Sequence, residues 1–151
     1  MSLIYLSIPY SHPDQSIRTG RMAAFWKACA HLIEHEYHVV SPMSMEPALK
    51  HLPNNQADWN TWEKYCVDLL NASEEVWVLQ LEGWDKSQGV QGEIDYAKEL
   101  NKTVRYLHPE DFSVQSEPFD LASEPNFLAF VAPGGSPPPV ILVENKKSPK
   151  F

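Results

Sequence analysis

The apolar run Val76-Trp77-Val78-Leu79-Gln80-Leu81 constrains this chain most, because of what comes after it. The run is long enough for a buried strand and rich in β-formers. A loop bearing Gly83 and Gly89 follows, and then a helix expected to reach about Leu100. On that helix Val90, Glu93, Ile94 and Ala97 share one face, since residues three, four and seven apart align. Three of them are apolar and one is a carboxylate. In α/β sheets a strand that passes through a loop into a helix leads to the crevice where ligands bind. Glu93, in the first turns and on the inward stripe, is therefore the first candidate for chemistry. A Glu at that place also interacts favourably with the helix N-terminus, or reaches solvent from the edge of the stripe, with no catalytic role at all.

The rest of the chain repeats the strand-helix alternation. Leu3–Ile8 reads as a short strand ended by Pro9 and Pro13, and Asp14 or Ser16 can cap the helix that runs to about His35. That helix carries Ile17, Arg21, Ala24, Phe25, Ala28 and Leu32 at helical spacing. His38–Ser41 is a second short strand. Pro42–Asn55 holds three prolines and no sustained period, so it reads mainly as a loop, long enough to serve as a lid or binding loop. Asp58 can cap a helix over Trp59–Ala72, whose Trp59, Trp62 and Tyr65 recur every three residues, a pattern more typical of core or interface than of a ligand box. The strand Glu75–Leu81, the central loop, the helix to Leu100 and a strand Thr103–Leu107 complete a β-α-β-α-β-α-β order. That order predicts a parallel sheet wrapped on both faces.

Residues 1–108 thus form one α/β domain, and residues 109–151 differ in character. Eight of the thirteen prolines fall there, with Gly134-Gly135-Ser136-Pro137-Pro138-Pro139 as a turn or linker. This Pro-rich extension is too small to bury its own core and is expected to pack on the domain or on a neighbouring subunit. Val140–Val143 could add a fifth strand.

A net charge of −8 without a basic stripe argues against nucleic acid as a partner. No run approaches a membrane span and the N-terminus lacks signal-peptide features, so a soluble, cytoplasmic protein is expected. Cys29 and Cys66 both fall within helices and suit free, buried thiols in a reducing compartment. His31-x-x-Glu34-His35 has the spacing of a zinc helix, but a third ligand is missing and the helix end itself favours a histidine. No metal is assigned. Neither a dinucleotide fingerprint nor a phosphate loop is present, so no cofactor is expected, and no nucleophile elbow or Cys–His pairing can be placed. Carboxylate chemistry remains. Glu93 and Asp68 stand on either side of the same strand, and a carboxylate nucleophile backed by a second acid suits glycosidic bond cleavage.

Three pieces resemble the nucleoside 2-deoxyribosyltransferase-like superfamily over roughly Leu3–Leu107. They are Ile4-Tyr5-Leu6-Ser7, Asp68 before the third strand, and Ser87-x-Gly89-Val90-x-x-Glu93-x-x-x-Ala97 after it. With Trp59, Trp62 and Gly83-Trp84 included, the pattern looks like a small bacterial and phage branch whose members are mostly unassigned. The resemblance implies a flavodoxin-like three-layer sandwich with a parallel four- or five-stranded sheet. It also implies Glu93 as the nucleophile at C1′ of the sugar, Tyr5 as the tyrosine that positions it, and Asp68 as the acid that orients or protonates the leaving base. Ser7, Tyr10, Arg18, Ser87 and Gly89 would meet the substrate. Ser87 stands where transferases carry an aspartate, and looks more like the relatives that hydrolyse nucleoside 5′-monophosphates and hold phosphate with a serine. The arginine of those hydrolases is absent from Ser7-Ile8-Pro9-Tyr10, leaving Arg18 or Arg21 as substitutes, and Asp95 replaces a customary glycine. A homo-oligomer is implied by the same resemblance.

Three readings stay open on these residues. The first is deoxyribosyl transfer between bases. The others are nucleoside 5′-monophosphate hydrolysis and a nucleotide-binding module that has lost turnover.

Overall fold

A computed structural model describes residues 2–49, 51–53 and 59–123, with the backbone alone at 59–61. The elements are β1 (Leu3–Ser7), α1 (Gln15–Glu34), β2 (His38–Val40), α2 (Glu46–Leu49), α3 (Trp59–Ala72), β3 (Glu75–Leu79), α4 (Gln88–Glu99), β4 (Thr103–Leu107) and β5 (Val114–Gln115). They build one five-stranded sheet in the order β2-β1-β3-β4-β5. The first four strands are parallel, and the order is flavodoxin-like.

The side-chain period of two sorts the sheet into two faces. Ile4, Leu6, Trp77, Leu79 and Leu107 point to one face and pack with Met22, Phe25, Ala28 and Leu32 of α1. Tyr5 and Val76 point to the other, against Leu70 of α3 and Ala97 of α4, while Val78 and Tyr106 meet Val90 and Ile94. Three layers result. In β3, Val76 through Leu79 are buried, as a strand covered by helices on both sides must be.

Several expectations change. The fifth strand is β5, antiparallel to β4, and the sheet is therefore not wholly parallel. The connection 108–113 can make a turn, whereas a parallel return needs about a dozen residues or more. Val140–Val143, with the rest of the Pro-rich extension beyond residue 123, lies outside the described residues, as does the Asp58 cap. Pro42–Asn55 is not mainly loop: Pro42–Met45 forms a 3₁₀ turn that leads into α2. Ser41 explains the start, since its Oγ accepts from Met43 N at 3.2 Å while Pro42 takes the first position, where no N–H is needed. Strand β3 stops at Leu79, two residues early. Gln80 is buried and turns its amide to the chain after β5, accepting from Phe119 N at 2.7 Å and donating to Phe119 O at 3.2 Å. Of the α1 stripe, Ile17 is exposed. Asp14 is the cap, accepting from Ser16 N at 2.8 Å.

Candidate active site

The chain runs from β1 outward to β2 and then returns to β3 on the opposite side of β1. That reversal opens a crevice at the carboxyl ends of β1 and β3, the usual ligand position in open α/β sheets. A cavity of about 840 Å³ lies there. Its walls come from the loop after β1 (Ile8–Ser11), the turn at Ser41–Met43, the cavity-facing side of α3, and the segment Lys86–Gly89 that opens α4. Glu93 lines it from the second turn of α4.

Two donors on β1 hold the Glu93 carboxyl. Tyr5 and Ser7 are two residues apart and so point to the same face of the sheet, the face that α4 covers. The Tyr5 hydroxyl donates to Glu93 Oε1 at 2.7 Å, and the Ser7 hydroxyl donates to Oε2. Burial pushes the Glu93 carboxyl up from its ordinary 4.5 to about 7, against the opposing pull of the Ser7 and Tyr5 hydrogen bonds. Burial, and next the Glu93 charge, hold the Tyr5 hydroxyl well above its usual range, so it stays a donor. The result is a carboxylate fixed at both oxygens and poised near neutral pH, the condition a catalytic group needs.

This poise has a cost in stability. The unfolded carboxyl ionises near 4.5 and the folded one near 7, so the penalty is absent at low pH and builds between those values. Because Glu93 is partly exposed in the cavity, the penalty is on the order of 1–3 kcal/mol. Glu93→Gln is therefore expected to stabilise the fold above about pH 7 and to be near neutral below about pH 4.5. Urea unfolding across that range checks it; a variant that loses stability at high pH would reverse the sign.

The remaining candidates separate. Asp68 is exposed and lies on a shallow surface hollow with Glu63, Lys64 and Val67, away from the cavity. Among the described residues, α3 presents Trp62 and Cys66 there, four apart and on one face. Two residues beyond Cys66 the helix has turned by roughly 200°, which carries Asp68 to the outer side. Among the described residues, Glu93 is the one carboxylate on the cavity wall. Trp62 both packs on the core and lines the cavity, while the side chain of Trp59 lies outside the described residues.

Ser7 lines the cavity; its hydroxyl proton goes to Glu93, and its oxygen keeps the capacity to accept. Tyr10 lines the cavity and donates to Glu46 Oε1 at 3.0 Å. Ser87 and Gly89 line it too, and Ser87 caps α4 by accepting from Val90 N at 3.3 Å. Arg18 is not on the wall; it donates to His12 O. Arg21, the alternative to Arg18 in the sequence reading, is on it. Its guanidinium donates to Ser11 O at 3.1 Å, Tyr10 O at 3.3 Å and Glu82 O at 2.9 Å, joining the loops after β1 and β3 across the cavity mouth.

Gly83 completes that joint. Its φ is +88°, and a Cβ there would stand 3.0 Å from Arg21 Nη2. Gly83→Ala is therefore expected to cost about 1–2 kcal/mol, from the left-handed backbone and the displaced guanidinium together. Chemical denaturation reads the loss; an unchanged midpoint would mean that neither constraint matters.

The helical pair His31 and His35 stacks at 4.1 Å between ring centroids, and His31 also packs on Phe112 at 5.0 Å. Among the described residues no group of three or more His, Cys, Asp or Glu could hold a metal ion. Nor is any of their helices long and apolar enough to cross a membrane.

The family model described as "Domain of unknown function (DUF1937)" matches residues 2–108. The chain belongs to the DUF1937 family. No curated protein matches its sequence significantly. A solved structure similar to this DUF1937 chain is the 2-deoxyribosyltransferase of the psychrotolerant bacterium Bacillus psychrosaccharolyticus, with a TM-score of 0.56. The match is 20% identical and covers 80% of this chain and 79% of that one. At that identity the likeness is one of fold, and it supports the resemblance read from the sequence at that level.

Proposed function

We propose that this protein cleaves the N-glycosidic bond of a nucleoside or nucleotide with Glu93 as nucleophile, and that its leading reaction is transfer of a 2-deoxyribosyl group between bases. The observation that carries this reading is the Glu93 carboxylate held at both oxygens by Tyr5 and Ser7 on the wall of a cavity large enough for a nucleoside. The fold it shares with a 2-deoxyribosyltransferase supports it.

In the first step a Glu93 oxygen attacks C1′ while the bond from C1′ to the base nitrogen breaks. The base leaves with the bonding pair, and the sugar is held as an ester of Glu93. In the second step a nitrogen of another base attacks C1′ and gives up its N–H proton to water, while the Glu93 oxygen departs with the ester's bonding pair. Tyr5 and Ser7 serve both halves: they fix the carboxylate for attack and stabilise the charge that returns to it. With Asp68 turned away and no second carboxylate on the wall among the described residues, the leaving base takes its proton from water. A homo-oligomer belongs to this reading, and light scattering of the full chain checks it.

A specific observation favours a second reading, hydrolysis of nucleoside 5′-monophosphates. Lys86, Arg21 and the Ser87 end of α4 share the cavity wall with one carboxylate among the described residues, in a chain of net charge −8. Such an end suits a phosphate. Water would then resolve the ester in place of a base.

A panel of nucleosides and their 5′-monophosphates, each with and without a second free base, separates the two by chromatography. New nucleoside supports transfer. Free base from monophosphates alone supports hydrolysis. Binding without turnover across the panel leaves a nucleotide-binding module in place of both.

A further inference from the structure

We infer that Arg21 is a positioning residue that sets how tightly the cavity holds its substrate. Its guanidinium ties the loop after β1 to the turn after β3, the two segments from which Tyr10, Lys86 and Ser87 line the cavity. This role rests on the reading of the cavity as a nucleoside or nucleotide site, and it is separate from the chemistry at Glu93.

The need for such a tie follows from the sheet. Strands β1 and β3 are neighbours, and their pairing ends at Ser7 and Val78. Beyond it the chain leaves β1 through residues 8–14 toward α1, and leaves β3 through residues 80–87 toward α4. Inside the second segment Trp84 N donates to Leu81 O at 3.0 Å and Lys86 N to Gly83 O at 3.1 Å, so these bonds shape the turn without reaching its neighbour. Among the described residues, every hydrogen bond that joins residues 9–14 to residues 80–87 comes from Arg21.

Arginine suits the task and lysine does not. Nη1 reaches Ser11 O at 3.1 Å and Tyr10 O at 3.3 Å, while Nη2 reaches Glu82 O at 2.9 Å. A planar fork can hold carbonyls on two loops at once, whereas an ammonium is a point donor on a flexible stem. The fork stands on α1, whose Phe25 and Ala28, one and two turns on, are buried in the core, so its base is rigid. Gly83 admits it, since a Cβ there would stand 3.0 Å from Nη2. Tyr10 is tied at its other end as well, its hydroxyl donating to Glu46 Oε1 at 3.0 Å. Glu93, by contrast, is held without Arg21: its carboxyl takes its bonds from Tyr5 and Ser7, inside β1 where the pairing with β3 is intact. Loosening the tie therefore frees walls that hold the substrate and leaves the nucleophile in place. Contacts made equally in the ground state and the transition state act on KM rather than on kcat.

Two measurements on the full chain test this. Amide hydrogen exchange, which needs no substrate, is expected to run at least about tenfold faster in residues 8–12 and 82–87 of Arg21→Ala, with β1 and the later turns of α4 unchanged. On whichever nucleoside or 5′-monophosphate turns over, Arg21→Ala is expected to raise KM about tenfold and to keep kcat within about threefold, with the pH profile of kcat unmoved. Arg21→Lys is expected to follow alanine in both measurements, because one ammonium cannot replace the fork. Gly83→Ala, which displaces the guanidinium from the other side, is expected to move KM the same way by a smaller factor, and it decides the matter if neither Arg21 variant folds.

Exchange that stays at the parent rate in both segments would overturn the inference. So would a lysine variant with the parent KM, since charge facing the substrate and not the tie would then be the cause. A kcat that falls while KM holds would mark a merely structural role and overturn it as well. Absent turnover of every nucleoside and monophosphate by the parent would instead sink the glycosidic reading, and the exchange rates would still decide whether Arg21 ties the two segments.

Discussion

Glu93→Gln is expected to lower base release by at least about a thousandfold while the protein stays folded. Gln is close in size and keeps an oxygen to accept from Tyr5 or Ser7, so the packing of α4 on the sheet is retained. What it lacks is the negative charge that makes a carboxylate oxygen nucleophilic enough to form the bond to C1′. Since the substitution also removes an ionisable group from a place that disfavours charge, the inactive variant is expected to be the more stable one above about pH 7. A loss of activity through unfolding would run the other way. Steady-state rates on whichever nucleoside turns over, set beside urea melts of both proteins, check the two halves together. Activity within tenfold of the parent would remove Glu93 from the reaction.

The second large effect concerns the sheet that presents the site. Trp77 is 1% exposed and is the largest of the fully buried side chains. It sits in the middle of β3, with its ring 5.0 Å from Tyr37 and its Nε1 donating to Glu75 Oε2 at 2.7 Å. Trp77→Ala is expected to cost about 3–5 kcal/mol, the lost burial plus the cavity left among Leu6, Leu79 and the α1 residues. For a domain whose whole stability is about 5–15 kcal/mol, that approaches unfolding. Trp77→Phe, which fills most of the volume, should recover much of the loss. Denaturant midpoints for the two variants give the measurement, and an alanine variant within about 1 kcal/mol of the parent would mean that the layer on α1 collapses around the gap.

Much of this site was readable because periodicity carries direction. Glu93 fell on the apolar stripe of α4, and that stripe can only face the sheet. Tyr5 came from the family resemblance alone. Ser7 was assigned to the substrate, yet the same spacing of two that brings Tyr5 to Glu93 brings Ser7 as well. Asp68 failed for the converse reason. A helix turns about 100° per residue, so a slip of two positions reverses the face, and the aromatic residues of α3 did not mark which side was cavity. Cys66 is the free, buried thiol that its helix position suggested, but that reading carries no sign of the cavity it lines. Arg21 was visible at helical spacing, but its bonds to three loop carbonyls depend on backbone far away in sequence. The edge strand β5 was missed because two residues carry no period.

The central claim is a covalent bond between Glu93 and the sugar. Mass spectrometry of the intact protein after mixing with a 2′-deoxy-2′-fluoro nucleoside, followed by peptide mapping, tests it most directly. Fluorine beside C1′ disfavours the positively charged transition state of the second step and lets the ester accumulate. The expected result is the mass of one fluorinated sugar on the peptide that holds Glu93, absent from Glu93→Gln. A sugar mapped to any other residue, or an adduct that persists in Glu93→Gln, would contradict the account.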